Sequence, residues 1–153
     1  MPTPEEKLAA MGLSVPQVAA PVAAYVPAVR TGAYVYTSGQ LPLREGTLIA
    51  TGTVGEAVTP EQATECARQC ALNGLAAIRA EIGELSAVTR VVKLVVFVAS
   101  ARGFTGQPQV ANGASELLGE VFGPAGQHAR SAVGVSALPL GAPVEVEMVV
   151  EVA

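Results

Sequence analysis

The chain has 153 residues, of which 50% are apolar and only 14% are charged, and its formal net charge is -4. This length fits one domain, or one domain with a short extension. An average globular protein has about a quarter of its residues charged. The lower fraction in this chain predicts a homo-oligomer in which other subunits cover apolar surface. The acidic balance, without any Lys/Arg run, argues against nucleic acid as a partner.

The histidine and cysteine content limits the kinds of site that the chain can form. His128 is the only histidine, which excludes a histidine-rich metal centre. Cys66 and Cys70 have no second pair to complete a zinc site, so we interpret them as buried thiols. The acidic N-terminus does not resemble a signal peptide, and no stretch has the length of a membrane span. We therefore expect a cytoplasmic protein that binds no metal ion and does not associate with a membrane.

The first predicted element is a short helix in an N-terminal extension. Thr3-Pro4-Glu5-Glu6 is a capping box with proline at the first helical position, and Gly12 should end the helix. We assign residues 1–21 to this extension, as an appendage, and residues 22–153 to the domain.

The domain is predicted to open with a β-hairpin. Residues 25–32 and 33–39 have strand patterns and turn at Thr31-Gly32. Pro27 lacks an N–H donor, so its strand should lie at a sheet edge or be interrupted there. Residues 40–58 are rich in glycine, threonine and proline, which predicts mostly loop with one short strand near residues 48–50.

Two helices and one long strand are predicted for the middle of the chain. A second capping box begins at Thr59, and apolar residues recur at helical spacing until Gly83. The β-branched run 89–99 predicts a central strand that is buried on both faces. A second helix is predicted for residues 108–122.

Residues 128–152 read as two apolar strands joined by a Pro/Gly turn. The resulting order is β-β-(β)-α-β-α-β-β. Its natural two-layer solution is an α+β fold with two helices on one face of a mixed sheet.

Two charges in these closing strands could form a site if the strands are neighbours. The guanidinium of Arg130 can bind a carboxylate through two parallel hydrogen bonds, and Glu145 can activate a water molecule. From this pattern alone, Arg130 could equally be a surface charge and Glu145 a solvent-facing residue. Glu147 has the same strand parity as Glu145, so the pattern does not choose between them.

Four segments in this order resemble the reactive intermediate deaminase family, also called Rid or YjgF-like. They are Thr37-Ser38-Gly39-Gln40-Leu41-Pro42, residues 92–98, Ala129-Arg130-Ser131, and Leu138-Pro139 followed by Val144-Glu145-Val146-Glu147. The resemblance covers residues 25–150. It implies a chorismate-mutase-like fold and a homotrimer with sites between subunits.

The resemblance also implies a reaction and a set of site residues. The reaction is hydrolysis of an amino-acid-derived enamine or imine to a 2-keto acid and ammonia, without a cofactor, as in a 2-iminobutanoate/2-iminopropanoate deaminase. Arg130 matches the family arginine that binds the substrate carboxylate, and Glu145 matches the acidic residue that positions water. The cleft-lining positions correspond to Tyr25, Ser38, Gly39 and Asn112.

The chain departs from the family pattern at three places. Ala132 stands where a cysteine is frequent, His128 replaces a proline, and Gly113-Ala114-Ser115 replaces a segment with a bulky aromatic residue. A backbone group at Ala132 could still face the substrate, and His128 is either an extra donor or a loop cap.

These departures keep an alternative open, a trimeric binder or sensor of small carboxylates that performs no turnover. A third hypothesis is endoribonuclease activity, which has been attributed to members of the family. The acidic net charge argues against it, because it disfavours binding to RNA.

Overall fold

A computed structural model of the chain describes residues 1–20 and 24–153. Its main feature is a five-stranded mixed sheet with helices packed on one face, which confirms the predicted α+β fold. The strands of this sheet are β1 Ala28–Thr31, β2 Tyr34–Thr37, β5 Val88–Ala99, β6 Ala129–Val135 and β7 Val144–Val152, and a separate two-stranded ribbon contains β3 Leu43–Arg44 and β4 Thr47–Leu48. The helices are α1 Pro4–Ala10, α2 Pro60–Ile82 and α3 Gln107–Phe122.

The β1–β2 hairpin forms where the sequence predicts it. Thr31 pairs with Tyr34, which leaves a two-residue turn whose first residue, Gly32, has φ +58°. This left-handed conformation suits glycine, since it lacks a Cβ atom. β1 is an edge strand that begins directly after Pro27, so the predicted edge position is confirmed.

The helix α2 begins and ends at the predicted signals. The Thr59 hydroxyl accepts a hydrogen bond from the Gln62 N–H at 3.1 Å, and the Gln62 side chain accepts one from the Thr59 N–H at 2.9 Å. Gly83 ends the helix with φ +92°. On the sheet side, a Cβ atom at Gly74 would lie 2.8 Å from Cε of Met148 on β7, so this helix approaches the sheet closely.

The closing strands β6 and β7 are not neighbours. β6 pairs in parallel with one edge of β5, and β7 pairs antiparallel with its other edge, which gives the order β1-β2-β7-β5-β6. The helical crossover through α3 joins β5 and β6 as parallel strands, so β7 takes the remaining edge of β5. The condition under which Arg130 and Glu145 could form a site on neighbouring strands is therefore not met within one chain, because β5 lies between β6 and β7.

The sheet has a face that the helices cover and an opposite face, which we call the open face. On β7, the residues from Val144 to Val152 alternate between buried on the helix side and half-buried on the open face. β5 shows the same alternation from Leu94 to Val98. The prediction that β5 is buried on both faces is therefore wrong for the single chain, and the middle strand is β7.

The β3–β4 ribbon lies within the segment that the sequence predicts as mostly loop. Asn73 of α2 fixes the chain here, because its side-chain amide donates to the carbonyl oxygens of Leu41 and Leu43, both at 2.9 Å. This buried amide thus anchors the residues that follow Gly39 against the helix layer.

The N-terminal helix α1 contributes to the same core. Leu8 is fully buried, and a carboxylate oxygen of Glu5 accepts a hydrogen bond from the Leu85 N–H at 2.9 Å. The predicted boundary between residues 21 and 22 lies outside the described residues. Within residues 1–20 and 24–153, no helix is both long and apolar enough to cross a membrane.

Candidate active site

The predicted site residues form two separate groups in a single chain. One group lies where β6 meets α3, and the other lies near the first residues of β7. The first contains Arg130, Asn112 and Ala132, and the second contains Glu145, Gly39, Ser38 and Tyr25.

Arg130 is held against α3 by three hydrogen bonds within the chain. It pairs with the buried Leu94 in the sheet, so both side chains point to the helix face. Its Nη1 donates to Oδ1 of Asn112 at 2.8 Å and to Oγ of Ser115 at 3.1 Å, and its Nη2 donates to the carbonyl oxygen of Pro108 at 3.3 Å. Ala132, two residues further along β6, packs against the core.

The remaining donors of Arg130 are suited to a carboxylate. A guanidinium has five N–H groups, and the three contacts with α3 use three of them. Among the described residues, the Nε–H and one Nη2–H have no acceptor. A bidentate contact with a carboxylate requires two N–H donors, and a permanently charged guanidinium can supply them.

Ser115 and His128 belong to this group. The Oγ of Ser115 lies 2.9 Å from Nε2 of His128, and Nδ1 of His128 lies 2.6 Å from the carbonyl oxygen of Gly126. The sequence pattern did not single out Ser115 as a partner of Arg130. Its spacing of three residues from Asn112 could have done so, because residues three apart share a helix face.

Glu145 lies half-buried in a small cavity of about 60 Å³. A buried water needs about 10–15 Å³ of such volume, so this cavity has room for a few water molecules beside the carboxylate. The residues that line it come from the N-terminal segment, the segments before β1 and after β2, strand β3, the connection between β6 and β7, and the start of β7. They are Ala19, Ala20, Tyr25, Pro27, Gly39, Gln40, Leu41, Leu43, Pro139 and Glu145.

Gly39 provides the surface on which the Glu145 carboxyl group rests. A Cβ atom at Gly39 would lie 2.7 Å from Cδ and 2.9 Å from Oε1 of Glu145, so only glycine leaves the carboxyl group in this position. The preceding Ser38 donates its hydroxyl hydrogen to the carbonyl oxygen of Val26 at 2.6 Å. This bond ties the segment containing Tyr25 to the end of β2.

The pKa of Glu145 is raised above its ordinary value. Burial is the main cause, because it disfavours the charged carboxylate, and the negative charge of Glu147 on the same strand face raises the pKa further. Glu145 therefore accepts a proton more readily than an exposed glutamate does. Glu147 is not among the residues that line the cavity, so Glu145 is the carboxylate beside Gly39.

The two groups face opposite sides of the sheet. Arg130 is level with Leu94 on the helix side, whereas Glu145 pairs with Phe97 on the open face, and β5 lies between them. A single chain consequently presents a guanidinium with two N–H donors left over and a glutamate with a raised pKa that do not share a cleft.

Comparison with known proteins agrees with the fold. The model of the family described as "YjgF/chorismate mutase-like, putative endoribonuclease" matches residues 5–152. Protein TCP17 of Trypanosoma cruzi is 46% identical over 142 residues, which is 92% of this chain and 89% of that protein.

Two crystal structures match almost the whole chain. Atu1372 of Agrobacterium tumefaciens, a protein of unknown function, is 42% identical with a TM-score of 0.92, over 98% of this chain and 92% of that one. A protein of Shewanella oneidensis MR-1 is 33% identical with a TM-score of 0.95, over 98% and 99% of the two chains. With the family model matching nearly every residue, this chain belongs to the YjgF/chorismate-mutase-like, or Rid, family.

Proposed function

We propose that the protein hydrolyses reactive enamine and imine intermediates derived from amino acids to 2-keto acids and ammonia. The observation that carries this proposal is the held guanidinium of Arg130, which keeps two N–H donors for a substrate carboxylate. Membership of the Rid family supports the same reaction class.

The reaction needs little from the protein beyond positioning and proton transfer. The imine carbon is already electrophilic, so water adds to it without a covalent enzyme intermediate. Glu145 takes a proton from the water as its oxygen bonds to carbon, and this proton then goes to the nitrogen. In the resulting carbinolamine the hydroxyl proton then moves to the amino nitrogen, the C–N bond breaks, and ammonia leaves as the C=O bond of the 2-keto acid forms. An enamine first becomes an imine by moving a proton from nitrogen to its terminal carbon.

The surroundings of Glu145 support this role. A raised pKa makes the carboxylate a better proton acceptor, and the adjacent cavity has room for the attacking water. Ser38 and Tyr25 are proposed to line the cleft on this side, and Asn112 and the backbone of Ala132 on the side of Arg130.

We also propose a homotrimer with each site between two subunits. Arg130 and Glu145 face opposite sides of one sheet, so a second copy is needed to bring an arginine to a glutamate. The open face carries exposed apolar side chains, with Val29 52%, Tyr36 48% and Val133 44% exposed. A symmetric assembly that packs the open faces together covers these side chains.

The experiment is an assay that generates the imine with an amino-acid oxidase or a dehydratase and follows 2-keto acid formation. Replacing Arg130 with alanine should lower kcat/KM by about 100-fold, because a charge-assisted carboxylate contact is lost. Arg102→Ala removes the same charge from an exposed position and should leave the rate unchanged.

Equal rates for wild type and Arg130→Ala would contradict the catalytic proposal. If wild type binds a 2-keto acid but never accelerates hydrolysis, the chain is a binder or sensor of small carboxylates, which is the alternative function.

A further inference from the structure

Three polar residues, one on α3 and two on the segment that packs beside it, form a series of hydrogen bonds that ends on the proposed substrate anchor. Nη1 of Arg130 lies 3.1 Å from Oγ of Ser115, which lies 2.9 Å from Nε2 of His128. Nδ1 of His128 lies 2.6 Å from the carbonyl oxygen of Gly126. We call the chain of Arg130, Ser115 and His128 the relay.

Each bond in the relay can run in only one direction when the imidazole is neutral. A carbonyl oxygen only accepts, so Nδ1 of His128 carries the hydrogen and Nε2 is an acceptor. The Ser115 hydroxyl must then donate its single hydrogen to Nε2. Its oxygen lone pairs remain for Arg130, whose guanidinium can only donate.

The far end of the relay is closely packed. Gly126 is buried against α3, and a Cβ atom there would overlap the carbonyl oxygen of Leu118. The backbone at Gly126 therefore packs directly on α3, and its carbonyl oxygen is the hydrogen-bond partner of His128.

We propose that His128 is a positioning residue for Arg130, acting through Ser115 as the Nδ1–H tautomer. The ring holds the serine hydrogen away from the guanidinium and keeps the serine oxygen available as an acceptor. Without the imidazole ring, the Ser115 hydroxyl is free to rotate its hydrogen toward Arg130. The guanidinium then loses one of its three hydrogen-bond acceptors on α3. A guanidinium that is already ordered loses less entropy when it binds a carboxylate. The consequence for substrate binding rests on the proposed function of Arg130.

The tautomer is directly measurable because His128 is the only histidine. A long-range ¹H–¹⁵N correlation spectrum of the ¹⁵N-labelled protein at pH 8 contains one imidazole, so no assignment is needed. The relay predicts a protonated Nδ1 and an unprotonated Nε2. A protonated Nε2 would overturn the proposal, whether or not the protein is a deaminase.

A double-mutant cycle tests whether His128 acts through Ser115. His128→Leu and Ser115→Ala should each raise the dissociation constant for pyruvate, used as a 2-keto acid probe, by about three- to tenfold. They should also raise KM for the imine more than they lower kcat. In the double variant the two effects should not multiply, because both substitutions interrupt the same series of hydrogen bonds. Independent, multiplicative effects would overturn the relay.

His128→Gln is the conservative variant, since its amide oxygen can take the place of Nε2 as an acceptor. It should return pyruvate affinity to within about twofold of wild type, whereas a residue with only a packing role would not distinguish glutamine from leucine in this way. If the wild type binds pyruvate but catalyses nothing, the proposed function fails while the cycle still decides the relay. If pyruvate does not bind, the tautomer measurement decides it.

Discussion

At the scale of single residues, the candidate site depends on the absence of a side chain at Gly39. The Glu145 carboxyl group occupies the space that a Cβ atom would fill, and the Gly39 backbone itself does not have a left-handed φ. An alanine would fit the backbone but displace the carboxyl group. The position thus serves the site rather than the chain conformation.

Gly39→Ala should therefore lower kcat by at least about tenfold, because the displaced carboxyl group no longer positions water. The melting temperature should change little, since the atoms that must move belong to the end of a flexible side chain. The control for turnover is Gly119→Ala, which adds the same methyl group to an open position on α3 and should leave kcat unchanged. Unchanged turnover in Gly39→Ala would count against a role for Glu145.

The raised pKa of Glu145 has a consequence for stability. The folded state holds the proton more tightly than the unfolded state, so unfolding releases it. The contribution of Glu145 to the free energy of unfolding is then largest at low pH and is lost as pH rises from the ordinary glutamate value through the raised pKa.

Glu145→Gln has no such proton to lose, so its melting temperature relative to wild type should increase as the pH rises from 4 to 8. Thermal unfolding at several pH values measures this difference, with Glu84→Gln as the same chemical change on an exposed side chain. A difference that stays constant or decreases with pH would contradict the raised pKa.

At the scale of elements, the positions of α2 and α3 depend on a close helix contact. A Cβ atom at Gly113 would overlap the carbonyl oxygen of Thr64 and lie 3.0 Å from its Cγ2. Because α3 carries Asn112 and Ser115, this contact also sets where Arg130 is held.

Gly113→Ala should push the helices apart and lower the free energy of unfolding by about 1–3 kcal/mol. Gly119→Ala on the same helix should instead raise it by about 0.5–1 kcal/mol, because alanine favours helix and the site is open. Urea unfolding of both variants measures the contrast. Similar changes in the two variants would show that the close contact does not matter.

Local signals predicted the elements better than their arrangement. The capping box at Thr59 and the turn at Gly32 act within a few residues, so the sequence alone located α2 and the hairpin. The strand order depends on the crossover through α3, which no local signal contains. For this reason the sequence left open whether β6 and β7 are neighbours, and the structure shows that β5 separates them.

The candidate site was predictable only in part. The family resemblance, not strand periodicity, singled out Arg130, and the structure adds the contacts that hold it. The contact with Gly39 distinguishes Glu145 from Glu147, which the alternation of the strand could not do. Ser115 and His128 meet only after α3 packs, and neither residue alone indicates the other.

At the scale of the whole molecule, the proposed reaction requires sites that are shared between subunits. In one chain Arg130 faces the helix side and Glu145 the open face, and the open face carries exposed apolar side chains. Both observations favour an assembly in which each copy supplies a different half of a site. This arrangement makes a mixed assembly informative.

The most direct test mixes two inactive variants, Arg130→Ala and Glu145→Gln, by co-refolding them in equal amounts. Each shared site needs an intact arginine from one copy and an intact glutamate from the next. In an equal mixture each of these residues is intact in half of the copies, so about one quarter of the sites should have both. The account predicts recovery of about a quarter of wild-type deaminase activity. Each variant co-refolded with the double variant should recover none. If the two single variants also recover no activity together, while wild type treated in the same way does, the sites are not shared between subunits.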